Sequence, residues 1–132
     1  MSKSNSDRHR ETMLYPEFLS ESHSDSFYSV LSQLNESQRS NPEYLAVAFI
    51  MSSDDELHGK MSPYFSSEGF NSRTMFEEVD FSSGYHKIAQ AAASLFREDS
   101  QISLSDIAGS LSHDLFHTLL QAIIIRKYGV IS

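Results

Sequence analysis

The stretch NPEYLAVAFIM, residues 41–51, constrains the fold more than any other part of the chain. Asn41 is a good N-cap, Pro42 fits the first helical position, and Glu43 complements the positive end of a helix dipole. No charge follows from Tyr44 to Met51. A helix that is apolar almost all round has to be covered on every side. The rest of the chain must therefore supply several amphipathic helices to wrap it, and the periodicity elsewhere offers them.

Phe27, Val30, Leu31 and Leu34 recur at three- and four-residue spacing, which predicts a helix over 20–37 with Phe18 and Leu19 packing just before it. Ser53 can cap a further helix whose first turn holds Asp54, Asp55 and Glu56, ended by Pro63. Residues 64–72 read as irregular, with Gly69 at a turn. A short helix over 72–78 would hold Met75, Phe76 and Val79 against the core. Tyr85, Ile88, Ala92 and Leu95 mark a longer helix over 84–98, and its alanines permit close approach of a neighbour. A helical turn from Leu104 to Ala108 is released by Gly109. Ser112 then caps a last helix over 113–127, with Arg126 and Lys127 at its negative end and Gly129 as C-cap. Leu115, Phe116, Leu119, Leu120, Ile123 and Ile124 are its expected buried face, so Leu120→Ala should be costly. The sum is an all-α, single-domain bundle of about five to seven helices over 14–132, several of them short. Residues 1–13 hold almost no apolar side chains and read as a flexible polar arm.

Serine makes up about a fifth of the chain, well above ordinary usage, and many serines stand where helices start. The net charge is −8, and it is uneven: residues 14–125 carry sixteen acids against five bases. Such a body repels phosphate backbones, which makes direct nucleic-acid binding unfavourable. It suits a protein partner with a basic surface, or serves solubility alone. Asp54, Asp55, Glu56, Glu77, Glu78 and Asp80 are the candidate partner-binding residues, although acidic first turns and solvated loops explain them more simply. The longest apolar run is too short to span a bilayer, and no apolar stretch follows the early basic residues. These features predict a soluble cytoplasmic protein. Cysteine is absent, which excludes disulfide and thiolate chemistry.

His113 and His117 lie four apart, a spacing that puts two imidazoles on one helix face, as in zinc sites. A zinc protease places Glu directly after the first His, and here Asp114 stands there. The two histidines border the expected apolar stripe and read as rim residues, so no metal and no cofactor is expected. A helix-turn-helix over 104–127 fails on register. With Ala108 as its small residue, the buried positions of the second helix fall on His113, Thr118 and Gln121, and no cation precedes Arg126. No Ser lies in a nucleophile elbow, and the five glycines are isolated. Nothing points to an enzyme.

Four segments, FLSESHSDSFYSVL, NPEYLAVAFIMSSDDEL, YHKIAQAAASLF and QAIIIRKYG, follow one another in an order that resembles small all-helical proteins of Gram-positive bacteria and their phages or other mobile elements. The resemblance covers about 18–129 and leaves out the arm. It implies an all-α fold and a bacterial or phage accessory protein, and it carries over no catalytic residue. A small acidic protein-binding factor, accessory or inhibitory, is the function expected. A phage inhibitor of a nucleic-acid-binding defence protein is its most specific form. A helix-turn-helix regulator and a metal enzyme using His113 and His117 are the alternatives.

Overall fold

In the computed structural model, which describes residues 16–96 and 101–130, eight α-helices follow one another. They are α1 (Glu21–Ser32), α2 (Glu36–Arg39), α3 (Pro42–Met51), α4 (Asp55–Met61), α5 (Ser72–Glu78), α6 (Ser83–Leu95), α7 (Leu104–Ser110) and α8 (His113–Tyr128). A 3-10 turn (Ser62–Tyr64) and a two-stranded antiparallel hairpin, β1 (Phe65–Ser66) and β2 (Gly69–Phe70), separate α4 from α5. The all-α expectation holds. The polar arm expected over 1–13 lies outside the described residues.

Asn41 accepts the Glu43 N–H at 2.9 Å and Pro42 opens α3, as the side chains at these positions dictate. Every residue of α3 from Leu45 to Met51 is buried. Three helices cover it, and the contacts at their ends fix their directions. His23 near the start of α1 meets Phe49 near the end of α3. Gly84 and Tyr85 at the start of α6 lie beside Leu115 and Asp54, while Phe96 just beyond its end packs on Tyr44. Gly129, which ends α8 at φ 81°, stands against Pro42. So α1, α6 and α8 all run antiparallel to α3, which is a simple way to bury a helix with no polar side.

Caps set most of the boundaries. Ser20, Asp54, Asn71, Ser103 and Ser112 each accept a backbone N–H in the first turn of the helix that follows. Four expectations about element boundaries and turns are corrected. Asp54, not Ser53, caps α4, because its carboxylate reaches both Glu56 N and Leu57 N while the Ser53 hydroxyl bonds back to the Ile50 carbonyl. The helix expected over 20–37 breaks into α1 and the single turn α2, because Asn35 and Gln38 form a capping box that starts a new helix. The stretch around Gly69 (φ 124°) forms a short hairpin. Gly109 does not release the turn before it, and α7 continues to Ser110.

The largest correction concerns α8. Its buried residues are Leu115, Thr118, Leu119, Ala122 and Ile125. Leu120 and Ile123, expected inside, are 43% and 42% exposed. The helix is rotated so that Ala122, the smallest apolar residue on it, faces the core, which lets two backbones approach closely. Thr118 joins the buried face at no cost in unsatisfied polarity, since its hydroxyl donates to the Asp114 carbonyl at 2.8 Å. The three consecutive isoleucines are helical throughout.

Candidate functional site

The two acidic groups singled out in the sequence, 54–56 and 77–80, lie twenty and more residues apart in the chain, and the fold joins them. Lys60, one turn after Glu56 on α4, is the hinge. Its Nζ lies 3.1 Å from Glu56 Oε2 and donates to the Asp80 carbonyl at 2.7 Å. It also stands 5.6 Å from the centre of the Phe81 ring. Asp55, Glu56, Glu77, Glu78 and Asp80 are all exposed on α4, α5 and the loop after α5. The result is an acidic face made by the start of α4 and the end of α5 with the loop that follows it. Half-buried Phe76 and Phe81 form an aromatic ledge along it, with ring centres 6.1 Å apart.

Asp54 takes a different role from its neighbours. Its Oδ1 accepts two N–H groups of α4, and its Oδ2 accepts the Tyr85 hydroxyl at 2.8 Å. The hydrogen bond to Asp54, helped by burial and by the charges of Asp54 and Glu56, pushes the Tyr85 phenol up to about 12. The carboxylate therefore fastens α4 to α6. At the other edge of the face, the Tyr64 hydroxyl donates to Glu78 Oε1 at 2.7 Å, and that bond raises the Tyr64 phenol as well. Tyr64 also lines an open cleft of about 520 Å³ beside the hairpin, with Glu68 and Phe70. The acidic face thus continues into a concavity with aromatic walls.

The two histidines of α8 are differently placed. His113 is exposed at the first turn. His117 lies with Nε2 3.2 Å from the Glu17 carbonyl, and Gln121 one turn on accepts the Glu17 N–H at 3.1 Å. They hold the segment that leads into α1. Among the described residues, no group of three or more His, Cys, Asp or Glu is placed to hold a metal ion. No described helix is long and apolar enough to cross a membrane. Arg126, expected at the dipole end of α8, ties three helices together. Its Nε donates to the Leu95 carbonyl at 2.9 Å and its guanidinium lies 3.7 Å from Glu43.

Sequence reasoning did not single out Lys60 or Tyr64, and it placed Tyr85 only in a helix stripe. Lys60 carried a readable signal, because Glu and Lys four apart on a helix pair readily. Tyr85 and Asp54 are 31 residues apart, and no local pattern announces that bond. Compared with known proteins, the chain matches no family model, no curated sequence and no solved structure.

Proposed function

We propose that the chain is a small acidic, non-catalytic protein-binding factor, accessory or inhibitory, whose partner presents a basic surface. What supports this reading is that one lysine holds the carboxylate of Glu56 and the carbonyl of Asp80, joining the two acidic stretches, while Asp55, Glu77 and Glu78 are exposed on the same elements. A preset cluster of like charge steers a cationic partner and rejects an anionic one. The half-buried aromatic ledge beside it supplies apolar area that a charged rim alone lacks. A cytoplasmic role in a Gram-positive bacterium or its phage is part of this proposal. An inhibitor that occupies the basic groove of a nucleic-acid-binding protein is the specific form we favour.

The test is capture from a bacterial lysate by wild type and by a variant carrying Asp55→Asn, Glu77→Gln, Glu78→Gln and Asp80→Asn. This variant leaves the Asp54 cap and the Lys60–Glu56 pair intact. Capture is run at about 0.1 M salt, where charges act over about 10 Å, and at about 1 M, where they act over about 3 Å. A basic protein retained by wild type at low salt, and lost both at high salt and on the variant, is the expected result. Equal retention by the two proteins, or capture only of DNA, overturns the reading.

A further inference from the structure

A second surface lies at the opposite end of α3 from the acidic face. The ten residues of α3 span about 15 Å, with Asp54 and Asp55 following its C-terminal end and Pro42 opening its N-terminal end. At that N-terminal end, the last turns of α1 and α8 leave a groove of about 240 Å³. Leu31 and Leu45 form its floor, and Tyr28 and Tyr128 stand on its walls with Arg39 at its rim. The two tyrosines are 47% and 40% exposed, among the largest apolar surfaces the described residues leave uncovered.

The charge lining this groove is positive, on a chain whose net charge is −8. Lys60, Lys87 and Arg126 are each paired with a carboxylate, of Glu56, Asp106 and Glu43 respectively. Among the described residues, Arg39, Arg73 and Lys127 form no ion pair. Arg39 lines this groove, and Lys127 stands beside its Tyr128 wall, with its Nζ 5.6 Å from the centre of that ring. Tyrosine and arginine around an apolar floor are the residue types that carry most of the energy in protein interfaces.

We infer that this groove binds an acidic peptide segment of a partner protein, with one large apolar side chain seated on Leu31 and Leu45 and flanking carboxylates meeting Arg39 and Lys127. The occupant is anionic because the unpaired charges that the described residues place at the site are positive, and an apolar ligand would leave them unanswered. A second copy of the chain is disfavoured, since a two-fold pairing of grooves brings two identical cationic rims together. An anionic bilayer is disfavoured too. The site is concave, and a net charge of −8 repels such a surface. This surface is independent of the acidic face, and the chain would then bridge two partners of opposite charge from opposite ends of one buried helix.

The experiment uses fluorescein-labelled peptides in which Phe or Leu is flanked on both sides by pairs of Glu and Asp. A counterpart has Lys in place of the acids, and another has Ser in place of the apolar residue. Fluorescence anisotropy with the full chain should show the acidic apolar peptide binding about tenfold or more tightly than either counterpart. Arg39→Glu and Tyr128→Ala should each weaken it by about tenfold, with thermal midpoints close to wild type because both side chains are exposed. Tyr128→Phe should retain most of the binding. Four results overturn the inference. They are equal binding of acidic and lysine peptides, no binding of any peptide at millimolar concentration, sedimentation showing concentration-dependent dimers that Tyr128→Ala abolishes, and binding of phosphatidylglycerol vesicles that is lost in the same variants. The acidic-face variant of the preceding section should bind these peptides unchanged, so a failure of either surface is read separately.

Discussion

The Nε2 of His23 lies 2.9 Å from the carbonyl oxygen of Phe49, and the Nδ1 of the same ring accepts the Leu19 N–H at 3.1 Å. Those two bonds fix the tautomer. A nitrogen that accepts cannot carry a proton, so the proton sits on Nε2 and is donated to Phe49. The ring is neutral, 2% exposed, and packed against Phe18 and Phe49 at 5.1 and 4.5 Å between ring centres.

Acid should therefore unfold the protein through this residue. Burial holds the His23 imidazole below its ordinary value of 6.5; the bond to Phe49 opposes that and the nearby His117 reinforces it. The unfolded chain takes up a proton as pH falls through 6.5, and the folded chain resists until lower pH. The stabilisation from keeping His23 neutral is thus complete above 6.5 and lost as pH falls below it. Urea midpoints measured at pH 7.5 and pH 5 should drop more for wild type than for His23→Gln, which has no proton to gain. An equal drop in both proteins would assign the acid sensitivity to other groups.

Leu119 and Leu120 are adjacent in sequence and opposite in consequence, at 1% and 43% exposed. Leu119→Ala should cost about 2 to 5 kcal/mol, as emptying a close-packed site does. Leu120→Ala should cost about 0.5 kcal/mol or less, as surface substitutions do. Denaturant midpoints of the two variants decide it, and similar losses would mean that α8 is turned the other way.

That pair also shows where the sequence ceases to specify the fold. The existence of α8, its start at Ser112 and its end at Gly129 were legible, because a hydroxyl that can cap and a glycine that can take positive φ are local facts. The burial of α3 was legible because a helix with no polar side has one destination. The face of α8 was not. It is apolar on two sides, so the three-four spacing fits both Leu115–Leu119–Ala122 and Phe116–Leu120–Ile123, and the choice rests on which side fits closely against α3. The acidic face was legible as residue types only. Its assembly depends on Lys60 reaching the Asp80 carbonyl, a tertiary contact that charge patterning does not contain.

The Tyr85–Asp54 bond should be visible spectroscopically. Tyr85 should ionise late, because its phenol is held at about 12 chiefly by its bond to Asp54. Unfolded tyrosine ionises near 10, so the bond's contribution is complete below that pH and is lost as pH rises through about 12. An absorbance titration of the phenolates should show one late step, which Tyr85→Phe removes. The same variant should lose about 1 kcal/mol at neutral pH, the usual net value of a hydrogen bond, or up to about 3 with a charged acceptor. A late step that survives in Tyr85→Phe would contradict the assignment.

Gln38 joins the first part of the chain to the hairpin. Its Oε1 accepts the Asn35 N–H at 3.3 Å to close the capping box of α2, while its Nε2 donates to the Ser67 carbonyl. Gln38 is 8% exposed, so its amide has left water and both bonds compensate that loss. Asn35 contributes the other half of the box, its Oδ1 accepting the Gln38 N–H at 3.0 Å. The two residues should therefore differ on substitution. Asn35→Ala removes a cap alone and should cost about 1 kcal/mol, spread over α2. Gln38→Ala removes the cap partner and the tie to Ser67 together, so it should cost about 1 to 3 kcal/mol. It should also speed amide exchange in the hairpin, at Ser66 to Phe70, more than in α1. Hydrogen exchange read residue by residue separates the two, and hairpin protection left intact in Gln38→Ala would show that the strands hold themselves.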